Sequence, residues 1–110
     1  MNSLLIETYV ASIQHVAITA DSLTVDLADG RTISVPLAWY PRLLHGQPEE
    51  LSNWRLIGRG EGIHWSDLDE DISVENILFG QPSGESQRSL VRWLRTRSEQ
   101  RQGFSLRELA

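Results

Sequence analysis

The chain has 110 residues, 40% apolar and 23% charged, which is enough for one domain with its own core and no metal or disulfide staple. It contains no cysteine, so disulfides, thiol catalysis and cysteine-held zinc are excluded, and the cytoplasm is the expected compartment. The net charge of −5 is unevenly spread: residues 1–84 carry four Arg and twelve carboxylates, a balance of −8, and residues 85–110 carry six Arg and three Glu, a balance of +3.

The opening Met1-Asn2-Ser3-Leu4-Leu5-Ile6-Glu7 has no basic start, and Glu7 interrupts its apolar run, so it does not read as a signal peptide. No stretch approaches the ~18 apolar residues of a membrane span, and no membrane partner is expected. Residues 1–12 read as an N-terminal arm, 13–96 as an α+β domain containing the start of a C-terminal helix, and 97–110 as a basic and apolar tail. Ile13 to Thr19 has the composition of a strand.

Leu23 to Val35 alternates apolar and polar residues about Asp29-Gly30, which marks a β-hairpin. A two-residue loop would set Val25 against Ser34 and put apolar residues on conflicting faces. A three-residue loop, Ala28-Asp29-Gly30, pairs Val25 with Ile33 and Leu23 with Val35 on one face, with Gly30 in the left-handed position. Pro36 ends the second strand because it lacks the N–H a ladder needs.

Ala38 to Leu44 fits a short helix or turn with Pro41 in its first turn, and Pro48 to Asn53 fits another, with Glu49 and Glu50 at its positive N-terminal end. Trp54-Arg55-Leu56-Ile57 and Gly62-Ile63-His64-Trp65 read as strands joined by Gly58-Arg59-Gly60-Glu61. Asp67 to Asp71 reads as a solvated acidic connection, and Ser73 as the N-cap of a helix from Val74 to Phe79. Gly80 to Gly84 is a linker.

Glu85 to about Gln102 is the long helical stretch. At 100° per residue Leu90, Val91, Trp93 and Leu94 span one apolar face, with Arg88, Arg92 and Arg95 opposite. Arg97 and Arg101 then fall on the apolar side, so docking on the core is expected to weaken after Leu94. Phe104 to Leu109 follows Gly103 as a separate end in which Ser105 and Glu108 fit a capping box.

Asp29 to Leu43, then Ile57-Gly58 through Gly62-Ile63-His64-Trp65-Ser66-Asp67-Leu68-Asp69-Glu70-Asp71 to Val74, then Pro82-Ser83-Gly84-Glu85-Ser86 together resemble the domain-of-unknown-function 2442 family of small bacterial proteins. The resemblance spans roughly residues 15–95. It implies a compact α+β domain and no reaction. Some relatives resemble a fusion with a helix-turn-helix, and others stand beside a second small protein in a pattern like a toxin–antitoxin pair. Only sixteen residues follow Leu94 here, too few for a helix-turn-helix.

Chemistry-bearing patterns are incomplete. Asp67, Asp69 and Asp71 imitate the start of a calcium loop, with His64 as an added nitrogen ligand, but Ile72 stands where Gly is needed and Leu78 where Glu is needed. Neither Gly-x-Ser-x-Gly nor a P-loop is present, and Gly58-Arg59-Gly60-Glu61-Gly62 fits a tight turn. His15 sits in an expected strand and His45 in a turn, and Ser66 and Asp67 follow His64 where sequence neighbours on a strand point to opposite faces, so no catalysis, metal or cofactor is expected.

The expected fold is therefore α+β: a small antiparallel sheet built on hairpins, short connecting helices and a C-terminal amphipathic helix. The expected function is a non-catalytic protein-interaction module, antitoxin-like in form, docking a protein partner or a second copy of itself. Phe104 is the anchor, with Leu106 and Leu109 beside it and Arg97 and Arg101 at the rim. The alternative is a nucleic-acid-associated regulator gripping phosphate through Arg88, Arg92 and Arg95.

Overall fold

Alternating apolar residues build two three-stranded antiparallel meanders in a computed structural model that describes residues 11–109, with side chains described as far as Gln100. In the first sheet β1 (Ile13–Ile18), β2 (Ser22–Leu27) and β3 (Thr32–Pro36) lie in chain order. The β2–β3 hairpin has the expected register, Val25 opposite Ile33 and Leu23 opposite Val35, and Gly30 at φ +95° closes its loop. In β1 the pairing slips at Gln14, between Ile13↔Leu27 and His15↔Asp26. That bulge lets Ile13 and Val16, three apart, both reach the core, where strict alternation would separate them.

A 3-10 turn (Leu37–Trp39) and the helices α1 (Pro41–Leu44) and α2 (Pro48–Ser52) lead to the second sheet, β4 (Trp54–Ile57), β5 (Gly62–Trp65) and β6 (Glu70–Ser73). Here the acidic connection is corrected. Its second half is a strand, with Glu70 opposite Trp65 and Ile72 opposite Ile63, and it is recruited because Ile72 is buried there. Ser73 caps α3 (Val74–Leu78) as expected, its Oγ accepting the Asn76 N–H at 3.1 Å.

The sheets meet where Ile13 N–H donates to the Gly60 carbonyl at 2.8 Å, and their inner faces share one core. Trp65 is fully buried, its indole N–H donating to the Leu51 carbonyl at 3.1 Å; Trp39, Trp54 and Trp93 pack half-buried around the core. Ala11 is buried, and the Ser12 carbonyl accepts the Ala28 N–H at 2.8 Å, so packing begins before β1. Residues 1–10, most of the expected arm, lie outside the described residues.

The last helix, α4 (Gln87–Leu109), departs from the sequence-based expectation in three ways. Its backbone is helical through Gly103, where a separate end was expected, because a single glycine costs a helix interior only about 1 kcal/mol. Val91 is 48% exposed, whereas Leu90, Trp93 and Leu94 of the expected apolar face are partly buried. Docking also continues beyond Leu94, because Arg97 is held by an ion pair.

Candidate functional site

Two ion pairs tie the last helix to the short helices of the body, with the Trp93 indole between their arginines. Ser86 starts the helix, its Oγ accepting the Ser89 N–H at 3.1 Å. One residue earlier Glu85 faces Arg42 of α1, which donates through Nε at 2.9 and 3.0 Å and through Nη2 at 2.7 Å. Ser89 Oγ gives Glu85 a further bond at 2.8 Å. The remaining Nη1 of Arg42 reaches the Asp69 carbonyl at 3.1 Å and the Leu68 carbonyl at 3.4 Å. Arg42 thereby joins α1, the β5–β6 turn and the root of α4.

Further along the helix a second pair forms. Arg97 donates to both oxygens of Glu50, Nη2 to Oε1 at 2.7 Å and Nη1 to Oε2 at 2.9 Å. The same Glu50 Oε1 accepts the Gln47 N–H at 2.8 Å, so one carboxylate closes the start of α2 and holds α4. Trp93 lies between the pairs, with the Arg42 guanidinium 5.1 Å and the Arg97 guanidinium 4.6 Å from its ring centroid. The helix is thus fastened by charge-assisted bonds around an indole that packs against the core.

Arg42's hydrogen bonds hold the Glu85 carboxyl below its ordinary range, outweighing its partial burial. Glu85 in turn raises Arg42, and Glu50 raises Arg97. Glu70 behaves oppositely: burial pushes it up, against the Asp71 N–H and the Arg42 charge that pull it down. Tyr40 is raised by burial and by the charge of Glu70, and its hydroxyl has no hydrogen-bond partner among the described residues.

The opposite side of α4 is bare. Arg88, Arg92 and Arg95 are exposed and make no ion pair among the described residues. With Gln87 and Val91 they line a shallow depression of about 430 Å³. The structure therefore brings Arg88, Arg92 and Arg95 together as the sequence predicts, and sets Arg97 apart from them on the body side. The side chains of Arg101, Phe104, Leu106 and Leu109 lie outside the described residues.

On the outer face of the second sheet the registers align Arg55, His64 and Asp71 across three strands, and His64 Nδ1 bonds Asp71 Oδ1. The sequence groups His64 and Asp71 only as ligands of an incomplete calcium loop and gives no sign that they pair across strands, because β6 carries no strand signal. No nucleophilic side chain bonds His64 among the described residues, and none of their His, Asp and Glu side chains cluster in threes to hold a metal ion. Arg42, Glu50 and Glu85 likewise escape sequence reasoning as a site. Their separations of 43 and 47 residues leave no local signal.

This arrangement of sheets and short helices is shared. The family model described as a protein of unknown function (DUF2442) matches residues 13–83. The chain belongs to the DUF2442 family. A crystal structure of a Rhodospirillum rubrum protein of unknown function is similar at 23% identity and a TM-score of 0.58, over 69% of this chain and 94% of that one. A solution structure of an uncharacterized Chromobacterium violaceum protein is similar at 18% identity and a TM-score of 0.60, over 81% of this chain and 82% of that one. At such identities the likeness shows the fold alone. No curated protein matches the chain. The DUF2442 match includes Arg42 and Glu50 but ends before Glu85, so α4 lies outside it while its anchors on the body lie inside. Among the described residues no helix is long and apolar enough to cross a membrane.

Proposed function

We propose that this DUF2442 chain is a non-catalytic protein-interaction module whose C-terminal helix is the docking element. The supporting observation is that α4 is fastened to the body through Glu85, Trp93 and Arg97 and then runs on as helix to Leu109, with Ser98, Glu99 and Gln100 exposed. A helix extending about three turns past its anchor has little stability of its own in water, and a partner surface would stabilise it. In this reading Phe104, Leu106 and Leu109 dock, Arg101 lies at the rim, and Arg97 marks the edge of the body. The occupant is a protein partner or a second copy, and an antitoxin-like role in a two-protein system is its specific form, which the resemblance to paired small proteins supports.

The test compares the full chain with one ending at Gln100, which keeps the Arg97–Glu50 pair. Affinity recovery and sedimentation should show a partner, or a second copy, with the full chain only. Equal recovery and equal mass for both would refute the reading.

A further inference from the structure

The outer face of α4 combines two features that a merely solvated helix face does not need together. Arg88, Arg92 and Arg95 stand at i, i+4 and i+7, so their guanidiniums line about 10 Å of one helix side with no ion pair among the described residues. Val91 sits among them, 48% exposed, as the apolar floor of the depression they line. Glu99, one turn beyond Arg95, ends the basic run. Unpaired charge asks for a partner of opposite sign, and an exposed apolar floor asks for an apolar side chain.

We propose that the Arg88–Val91–Arg92–Arg95 face of α4 binds an acidic protein segment that carries an apolar side chain to set on Val91. This rests on the reading of α4 as a docking element and assigns it a second surface with a defined chemistry. Nucleic acid fits the face less well. The aromatic residue on the described part of α4, Trp93, is turned inward between Arg42 and Arg97, so no ring is offered for a base to stack on. The body behind the helix, at −8 over residues 1–84, repels an extended polyanion, while a short acidic segment can stay within the basic stripe.

The test uses the full chain and fluorescence anisotropy at low salt, with three labelled probes: a peptide with Glu and Leu at helical spacing, an all-Glu peptide of the same length, and an oligothymidine of equal charge. The Glu/Leu peptide should bind tightest. R88E/R92E/R95E should weaken it at least about tenfold, V91D should remove its advantage over the all-Glu peptide, and salt should weaken it further. These side chains are exposed, so the variants should keep the parent's circular dichroism; if the triple reversal unfolds, R88Q/R92Q/R95Q replaces it. No peptide binding, binding indifferent to these variants, or tighter binding of the oligothymidine would overturn the proposal, the last in favour of nucleic acid. A chain ending at Gln100 retains this face. If truncation abolishes partner recovery while the reversals change nothing, the present proposal falls and the tail reading stands. If peptide binding survives truncation and recovery is also unchanged, the basic face stands as the docking surface and the tail reading falls.

Discussion

Arg42 meets three demands with one planar head: it holds Glu85 through two nitrogens, gives a third to the turn carbonyls of Leu68 and Asp69, and lies over Trp93. Its side chain is 17% exposed and that of Glu85 9%, so removing either strands a poorly solvated charge. Arg42→Ala should cost about 2–4 kcal/mol in urea unfolding, and Arg42→Lys should recover little because an ammonium cannot reproduce the fork. The neighbouring carboxyls give opposite pH responses. Glu85 is lowered in the fold, so its stabilisation is present above the ordinary carboxylate range and is lost as pH falls through its depressed value. Glu70 is raised by burial, so its ionised form opposes folding at neutral pH, and that cost disappears as pH falls through its raised value. Thermal melts at neutral pH should therefore show Glu70→Gln more stable than the parent and Glu85→Gln less stable. Both differences should vanish in acid, that of Glu70→Gln first.

At the scale of elements, glycines in two turns separate backbone strain from steric contact. Gly30 and Gly60 both sit at φ +95°. A Cβ at Gly30 meets nothing within 4 Å, whereas at Gly60 it would lie 2.4 Å from the Ile13 carbonyl oxygen, where the two sheets join. Gly30→Ala should cost about 1 kcal/mol, the left-handed penalty alone. Gly60→Ala should exceed it by at least about 2 kcal/mol, because the β4–β5 turn or β1 must move. Equal costs by chemical denaturation would show that the junction yields freely. Strand β6 also depends on its surroundings: Glu70-Asp71-Ile72-Ser73 holds one apolar residue, too few for a periodic signal, and it becomes a strand because β5 offers it an edge and the core accepts Ile72.

For the whole molecule, the charge asymmetry of the sequence becomes a spatial arrangement. Part of the basic charge of residues 85–110 is used internally, with Arg97 on Glu50, and part is displayed as the Arg88, Arg92 and Arg95 stripe. A chain ending at Thr96 should lose about 1–3 kcal/mol relative to one ending at Gln100, because the bidentate charged bond to Glu50 disappears. Raised salt should narrow that gap only in part, since the Arg97 and Glu50 side chains are 14% and 21% exposed. Matching melting curves for the two chains would mean that Trp93 and the Arg42–Glu85 pair fasten α4 without help from Arg97.

Local patterns in the sequence determined the β2–β3 register, the Pro-started helices, the Ser73 cap and the long helix, because each depends on residues within about one turn or one hairpin of each other. They also placed Arg88, Arg92 and Arg95 on one face by periodicity alone. Only the tertiary structure decided that Glu70 joins a strand, that His64 meets Asp71, that Val91 faces outward and that Arg97 faces Glu50. These outcomes turn on which surfaces lie near each other after folding: a strand needs a neighbour's free edge, and an ion pair needs its partner's position. The same holds for the Arg42 guanidinium over Trp93, which comes from 51 residues away along the chain, whereas Arg97 lies one helical turn from that ring.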